Sequence, residues 1–480
     1  MTLDLDLSRV WLVDPDRHRE GPADVVVRHG VIRAVRWLRG ADASGVHDGG
    51  VVVAPAFVDL HAHLREPGND AAETVATGLA AAAHGGFGLV CAMPNTEPAI
   101  DDAGALARLE AAVAAAAARA SSGGEGHGLP AVRAWGAVTV DRAGDHLAPM
   151  AELAAAGIAG FSEDGAPVRS ATVFRNALAY AGALGLPIVD HPEDLGLTEG
   201  AEAGEGLVAT VLGLKGWPAA GEVSAVARDL AILEDVAADV PGARLHLTHL
   251  SVAGSFRLVR EAKARGLPVT CDVTPHHLAL SDEWVAGARR WAWDALDPEG
   301  RRLDPWGRPR EAGPYDTSTR VNPPLRSPED AAACRAAVRD GTADAIATDH
   351  APHGTVAKSV EYGLAPNGIS GIETALGVVL AAVAAGQLTL ARAIEALTAG
   401  PRRVLAGPAG RPSGVADGRL ALGTPASLVV FDRSATWTVS PATLRSKGKN
   451  SPLLGRSLAG RVLLTTSNGL VTYRDEALTP

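Results

Sequence analysis

His61 and His63 stand one residue apart at the end of an apolar run. Side chains on a strand alternate with period two, so both imidazoles fall on one face. Two imidazoles converging from one strand can share a single metal ion. Four further apolar runs end in the same kind of chemistry, at Asp164, His191, His249 and Asp349. Singly these are weak signals. A His-X-His is more often surface decoration, a lone histidine after a strand is usually a hydrogen-bonded core residue, and Asp164 before Gly165 could be a turn residue. Together they form a set of four imidazoles and two carboxylates. Nitrogen and oxygen donors without nearby thiolates suit zinc or a similar divalent ion. Six donors exceed what one tetrahedral zinc takes, so two ions sharing a bridging carboxylate fit better.

The elements that must position these groups follow from periodicity. Eight short apolar runs are strand candidates: Val51–Leu60, Phe87–Met93, Val132–Val140, Ile158–Phe161, Leu186–Val189, Leu245–Thr248, Pro268–Val273 and Asp344–Thr348. Stretches between them, such as 71–84, 101–119, 171–184, 222–238, 253–265 and 328–339, have helical spacing and few β-branched residues. Eight strands alternating with helices imply a parallel sheet closed as a (β/α)8 TIM barrel, whose reactive groups lie at the C-terminal ends of the strands. The donors sit at the ends of strands one, four, five, six and eight. Both chain ends alternate in short pieces with tight turns, so residues 1–52 and 405–480 are expected to form one small β-sandwich-like domain beside a catalytic barrel at 53–404. Residues 283–319 interrupt the rhythm with Trp284, Trp291, Trp293 and Trp306. They are expected to form an ordered insertion that packs as a flap against the barrel mouth. Ser121–Pro130 is Gly/Ser-rich and reads as a solvent loop.

At 480 residues the chain can hold one large domain and a satellite, and its net charge of −11 argues against a nucleic-acid partner. No run is long and apolar enough for a membrane span, and the acidic, alternating start is unlike a signal peptide. Cys91, Cys271 and Cys334 are too few and too scattered for a disulfide framework, so a cytoplasmic protein is expected. Cys91 reads as core. His18, His29, His47, His84, His127, His146 and His246 take structural readings, while His276 and His277 are open between that and support of the site.

Four motifs carry a resemblance: FVDLHAHLREPG at 57–68, AMPNTEP at 92–98, VNPPLR at 321–326 and ATDHAPH at 347–353. In combination they resemble the dihydroorotases of the amidohydrolase superfamily; the first alone would also admit hydantoinases and allantoinases. The resemblance spans about residues 50 to 400 and reaches loosely to both ends. It implies that His61, His63 and Asp349 hold a buried metal, that His191 and His249 hold a second, and that Asp164 bridges two zinc ions. It implies that Arg65, Asn95 and His353 grip the substrate carboxylate, with Asn322 on the ring and Asn367 and Gly368 beside it. The implied reaction is the reversible cyclisation of N-carbamoyl-L-aspartate to dihydroorotate in pyrimidine biosynthesis. A metal-activated hydroxide would attack the ring carbonyl, with Asp349 as general acid/base. A homo-oligomer is expected, with aspartate carbamoyltransferase as a candidate partner. A related cyclic-ureide hydrolase is the first alternative. A non-catalytic scaffold for the transferase is the second, though such proteins lose metal ligands and all six stand here.

Three departures from the family pattern stand out. Many relatives place a carboxylated lysine at the end of strand four, and lysine here occurs only at Lys215, Lys263, Lys358, Lys447 and Lys449. Asp164 is the expected replacement, with Glu163 next in line. Asn367 stands where an apolar residue or proline is expected, and the insertion at 283–319 is longer than usual.

Overall fold

A computed structural model describes residues 3–122, 127–304, 311–406 and 418–478. Eight parallel strands form one sheet: Phe57–Ala62, Phe87–Ala92, Ala131–Ala137, Gly160–Ser162, Ile188–Asp190, Leu245–Leu247, Val269–Val273 and Ala345–Ile346, each hydrogen-bonded to the next in chain order. Barrel strands one and two are buried along their full length, because helices cover one face and the barrel interior the other. The helices start and stop on local signals. Thr74 and Thr77 form a capping box before Val75–His84, Ser170 caps Ala171–Leu184, and left-handed Gly185 ends the latter.

The ring closes through side chains as well as backbone. Strand eight is two residues long and meets strand one only at an isolated bridge between Ala62 and His350. Asp59 completes the seam: its carboxylate accepts from the Thr348 backbone N–H at 2.8 Å and from Thr348 Oγ1 at 2.5 Å.

The run Val51–Leu60, read above as one barrel strand, is two strands. Val51–Pro55 pairs with both ends of the chain, parallel to Leu5–Asp14 and antiparallel to Leu428–Thr438, and only Phe57–Ala62 belongs to the barrel. Pro55 has no N–H to extend a ladder, and the chain changes sheets just after it. Seven strands make up this second sheet. From one edge to the other they run Leu470–Arg474, Ser457–Ser467, Leu428–Thr438, Val51–Pro55, Leu5–Asp14, Arg19–Arg28 and Val31–Trp37. The sandwich-like expectation is replaced by one curled sheet. Its edges approach so closely at Gly30 and Gly469 that a Cβ on Gly30 would lie 2.5 Å from the Gly469 carbonyl oxygen. Alternation then serves two cores: Val52 and Ala54 pack on barrel residues such as Phe57, while Val53 joins Leu12, Val25, Ile32 and Leu464 inside the curl.

The insertion is ordered where described. Trp284 is fully buried in a cluster that joins Val321, Leu325 and Ile369 to Val439, Leu444 and Leu453, Trp291 and Trp293 stack at 5.3 Å, and Arg456 lies 3.8 Å over Trp291. Trp306 lies outside the described residues. Ser121 and Ser122 end the helix Ala103–Ser122 rather than opening the expected loop, whose residues 123–126 are outside the described set.

Candidate active site and metal centre

The six expected donors converge at one end of the barrel. His61 Nε2 lies 3.4 Å from a carboxylate oxygen of Asp164 and 3.4 Å from one of Asp349. His63 Nε2 is 3.2 Å from Asp349 and 3.6 Å from the other Asp164 oxygen. His191 Nδ1 and His249 Nε2 are each 3.5 Å from Asp164 Oδ1 and 3.0 Å from one another. Asp164 therefore stands between two donor groups, one on strands one and eight, the other on strands five and six. All six residues are buried.

These separations test the fit to metal. Ligand bonds of about 2.0–2.2 Å put two donors of one tetrahedral ion about 3.3–3.6 Å apart. The spacings of His61 from both carboxylates and of His191 and His249 from Asp164, 3.4–3.5 Å, match that edge length and exceed a good hydrogen bond, while His191–His249 and His63–Asp349 are within hydrogen-bond reach. His61 Nε2 makes no hydrogen bond among the described residues, although it is buried and faces both carboxylates. A buried orphan nitrogen aimed at two carboxylates is costly in a protein and natural for a metal ligand.

Electrostatics point the same way. Burial disfavours the His61 cation, but Asp164 and Asp349 outweigh it and push the imidazole up to about 9. His191 is likewise opposed by burial and lifted by Asp164 and Glu193, to about 10. Burial works against the Asp164 carboxylate too, yet His61, His191 and His249 hold it well below the usual range. The carboxylates call for positive charge, and divalent ions would displace protons from these imidazoles on binding.

Buried partners that the sequence reading passed over orient the candidate ligands. Glu193 accepts from His191 Nε2 at 2.9 Å, and Asp272 accepts from the His249 backbone N–H at 2.7 Å and the His246 ring at 2.8 Å. Thr248 Oγ1 bonds His61 Nδ1 at 2.9 Å. Such contacts fix ring orientation and tautomer. A charged residue inside the apolar strand Val269–Val273 was the available signal for Asp272, and the spacing His191-Pro-Glu193 the one for Glu193. Glu163 is excluded from the centre, because its carboxylate turns away to the Val138 N–H at 2.9 Å and the Thr139 N–H at 3.2 Å. Left-handed Gly165, at φ +72°, lets the chain turn directly after Asp164. His249 and Asp349 themselves hold positive φ values of 40° and 45°, backbone strain of the kind kept at functional sites.

The remaining expected site residues lie at the same mouth with other commitments. Asn95 bonds His63 Nδ1 at 2.9 Å and Asp164 Oδ2 at 3.3 Å, so it braces the donors. Arg65, also at positive φ, is 3.3 Å from His353 Nε2, and no carboxylate among the described residues pairs with it. His353 Nε2 meets the Asn367 carbonyl at 2.8 Å, and burial together with Arg65 pushes its ring down to about 3. His353 is thus neutral, and Arg65 alone supplies the charge. Asn367 turns its side chain outward to Arg320 Nε at 3.0 Å. Gly368 has its N–H on Arg320 O at 2.8 Å and its carbonyl on Asn450, and a Cβ there would meet Ala351 at 2.5 Å. Its part is close packing beneath His353. Asn322 Nδ2 donates to Glu193 at 2.9 Å, leaving Oδ1 buried and unpartnered among the described residues.

The other histidines divide. His246 and His277 have both ring nitrogens hydrogen-bonded and are structural, whereas His276 keeps a buried, unpartnered Nε2. Cys91 lies in the barrel interior with Leu60, Met93 and Trp135. No helix among the described residues is long and apolar enough to cross a membrane.

Comparison with known proteins agrees with this architecture. The dihydro-orotase-like family model matches residues 50–254 and the amidohydrolase family model residues 220–471. The dihydroorotase of Anaeromyxobacter dehalogenans (strain 2CP-1) is 46% identical over 467 residues, covering 97% of this chain and 96% of the relative. That of Pelotomaculum thermopropionicum is 41% identical, covering 97% of this chain and 98% of the relative. Among solved structures, the L-hydantoinase (dihydropyrimidinase) from Arthrobacter aurescens superposes with a TM-score of 0.75 at 22% identity, over 99% of this chain and 96% of that one. At that identity the likeness concerns the barrel and its companion sheet. With near-half identity to dihydroorotases along almost its whole length, the chain belongs to the dihydroorotase family of the amidohydrolases.

Proposed function

We propose that this chain catalyses the reversible cyclisation of N-carbamoyl-L-aspartate to dihydroorotate, with two zinc ions held by His61, His63, Asp349, His191 and His249 and bridged by Asp164. The observation that carries the choice of substrate is Arg65, a half-buried guanidinium beside the donor cluster with no carboxylate partner among the described residues. A partly desolvated, unpaired guanidinium at the mouth of a site calls for an anion. Dihydroorotate carries a carboxylate, whereas hydantoin and allantoin do not, so Arg65 favours the dihydroorotase reading over the wider cyclic-ureide one.

When bound, the ions would lower the pKa of a water to about 7 and polarise the carbonyl under attack. Everything else is the work of side chains. Asp349 Oδ1, 3.2 Å from His63 Nε2, takes the proton of the attacking water and delivers it to the leaving ring nitrogen. Asn322, held by Glu193, offers its free Oδ1 to a ring or ureido N–H. Arg65 holds the carboxylate in place, with His353 as a neutral neighbour. In the reverse direction the same groups close the ring and water leaves.

Ring opening of dihydroorotate, hydantoin and allantoin, each assayed with the zinc-loaded protein, tests this reading. Dihydroorotate should be opened with strong preference. Preferred turnover of an uncharged ureide would move the chain to the hydantoinase reading. No turnover despite two bound metals would favour a scaffold for aspartate carbamoyltransferase.

A further inference from the structure

We propose that Lys358 is a positioning residue of this active site, its buried ammonium seated on the carbonyls of Thr317, Arg320 and Pro366 so that the Pro366–Gly368 loop is fixed against His353. The proposal deepens the dihydroorotase reading and rests on it.

The geometry is specific. Lys358 Nζ lies 2.6 Å from Pro366 O, 3.0 Å from Thr317 O and 3.5 Å from Arg320 O. Its own carbonyl accepts from Thr317 Oγ1 at 2.6 Å, so the residue is tied at both ends. The side chain is 8% exposed, and no carboxylate among the described residues pairs with it. A buried ammonium is expensive, and an apolar residue of similar length would fill the same space without that cost. What the ammonium provides is three donors at one point. Here they gather three segments: the end of the insertion, the strand-eight loop, and the loop carrying Asn367 and Gly368.

That last loop sets the substrate clamp. Asn367 O receives His353 Nε2 at 2.8 Å, and His353 lies 3.3 Å from the guanidinium of Arg65. The Gly368 N–H is held on Arg320 O at 2.8 Å, and Arg320 also grips Asn367 Oδ1 at 3.0 Å and Tyr362 O at 2.5 Å. Were the ammonium lost, Pro366 O and Thr317 O would lose their shared donor, and His353 would lose the fixed carbonyl that orients it. Misplacing a binding group in this way weakens substrate affinity while leaving the proton-transfer groups in place.

The charges facing Lys358 are Arg320 and Arg65 on the basic side and Asp316 on the acidic side, the last already paired with Arg289 at 2.8 Å, and His353 is a neutral titratable neighbour. Burial and then Arg320 push the ammonium down to about 7. The fully donating form therefore prevails below that pH, and the grip loosens above it. The clamp should tighten as pH falls toward 6 and slacken toward 9.

The test compares the zinc-loaded wild type with Lys358→Met, reading KM and kcat in both directions from about pH 6 to about pH 9, with metal content and Tm alongside. For Lys358→Met, KM for dihydroorotate and carbamoyl aspartate should rise about tenfold, with kcat within about threefold and two zinc ions retained. The wild-type KM should rise with pH through the titration of Lys358, and the variant should lack that rise. Hydrogen exchange of the Gly368 amide in the wild type gives a second reading that needs no variant: its protection, corrected for the intrinsic rate, should fall as pH rises. A folded Lys358→Met with wild-type KM and pH profile overturns the proposal. If that variant does not fold, pH-independent Gly368 protection in the wild type overturns it equally. A wild type that opens no dihydroorotate defeats the substrate reading instead, which separates the two failures.

Discussion

The two halves of the barrel mouth are built differently. On the metal side the donors sit at the ends of short buried strands or directly after them, and are braced by Asp272, Glu193 and Thr248. On the anion side Arg65, His353, Asn367 and Gly368 lie on loops held by other loops, with Lys358 and Arg320 as fasteners. Strand ends have few ways to point a side chain, whereas a loop must be tied at each point. The metal side should therefore respond to mutation through metal content and kcat, and the anion side through KM.

The largest expected effect lies on the metal side. Asp349→Asn removes the proposed proton shuttle and should lower kcat by roughly 10²–10⁴ in both directions, since ring opening and closing share one transition state. Loss confined to one direction at equilibrium would contradict the shared role. Next comes the anion side: Arg65→Met should lower kcat/KM by about 2–4 kcal/mol, or roughly 30- to 1000-fold, with metal content unchanged. Normal turnover of dihydroorotate by this variant would remove the clamp assignment. Glu193→Gln keeps the shape but weakens the carboxylate–imidazole pair, so affinity for the metal proposed at His191 should fall roughly 10- to 100-fold, measurable by competition with a chelator. The smallest effect should come from Asn367→Ala. Its side chain faces Arg320 while His353 is held by the backbone carbonyl, so KM should change by less than about threefold. A larger change would show that the anion side is organised by side chains after all.

What the sequence revealed follows the same division. Alternation and strand–helix rhythm placed the barrel and all six donors, because period two leaves a strand residue only two faces and the motifs stand at strand ends. The absence of lysine before residue 215 ruled out a carboxylated lysine at strand four, and the structure puts Asp164, not Glu163, among the imidazoles. Sheet membership was harder to read. Val51–Leu60 is one apolar run, and only pairing with distant residues shows that Val51–Pro55 serves a second sheet. The loop side was least legible, because contacts such as Lys358 to Pro366 or Asn450 to Gly368 join residues whose spacing carries no period. The insertion was recognised as ordered from its tryptophans, but the packing of Trp284 with Val439, Leu444 and Leu453 depends on partners far along the chain.

The central claim is a bimetallic centre bridged by Asp164 and serving dihydroorotate, and metal reloading tests it most directly. Apo-protein would be titrated with zinc in carbon-dioxide-free buffer and again with bicarbonate, while zinc stoichiometry and dihydroorotate ring opening are followed together. Asp164 is a carboxylate already and needs no carbon dioxide to become a ligand, so both series should reach two zinc ions per chain and the same full activity. Reactivation that requires bicarbonate, or full activity with a single zinc ion, would contradict the account.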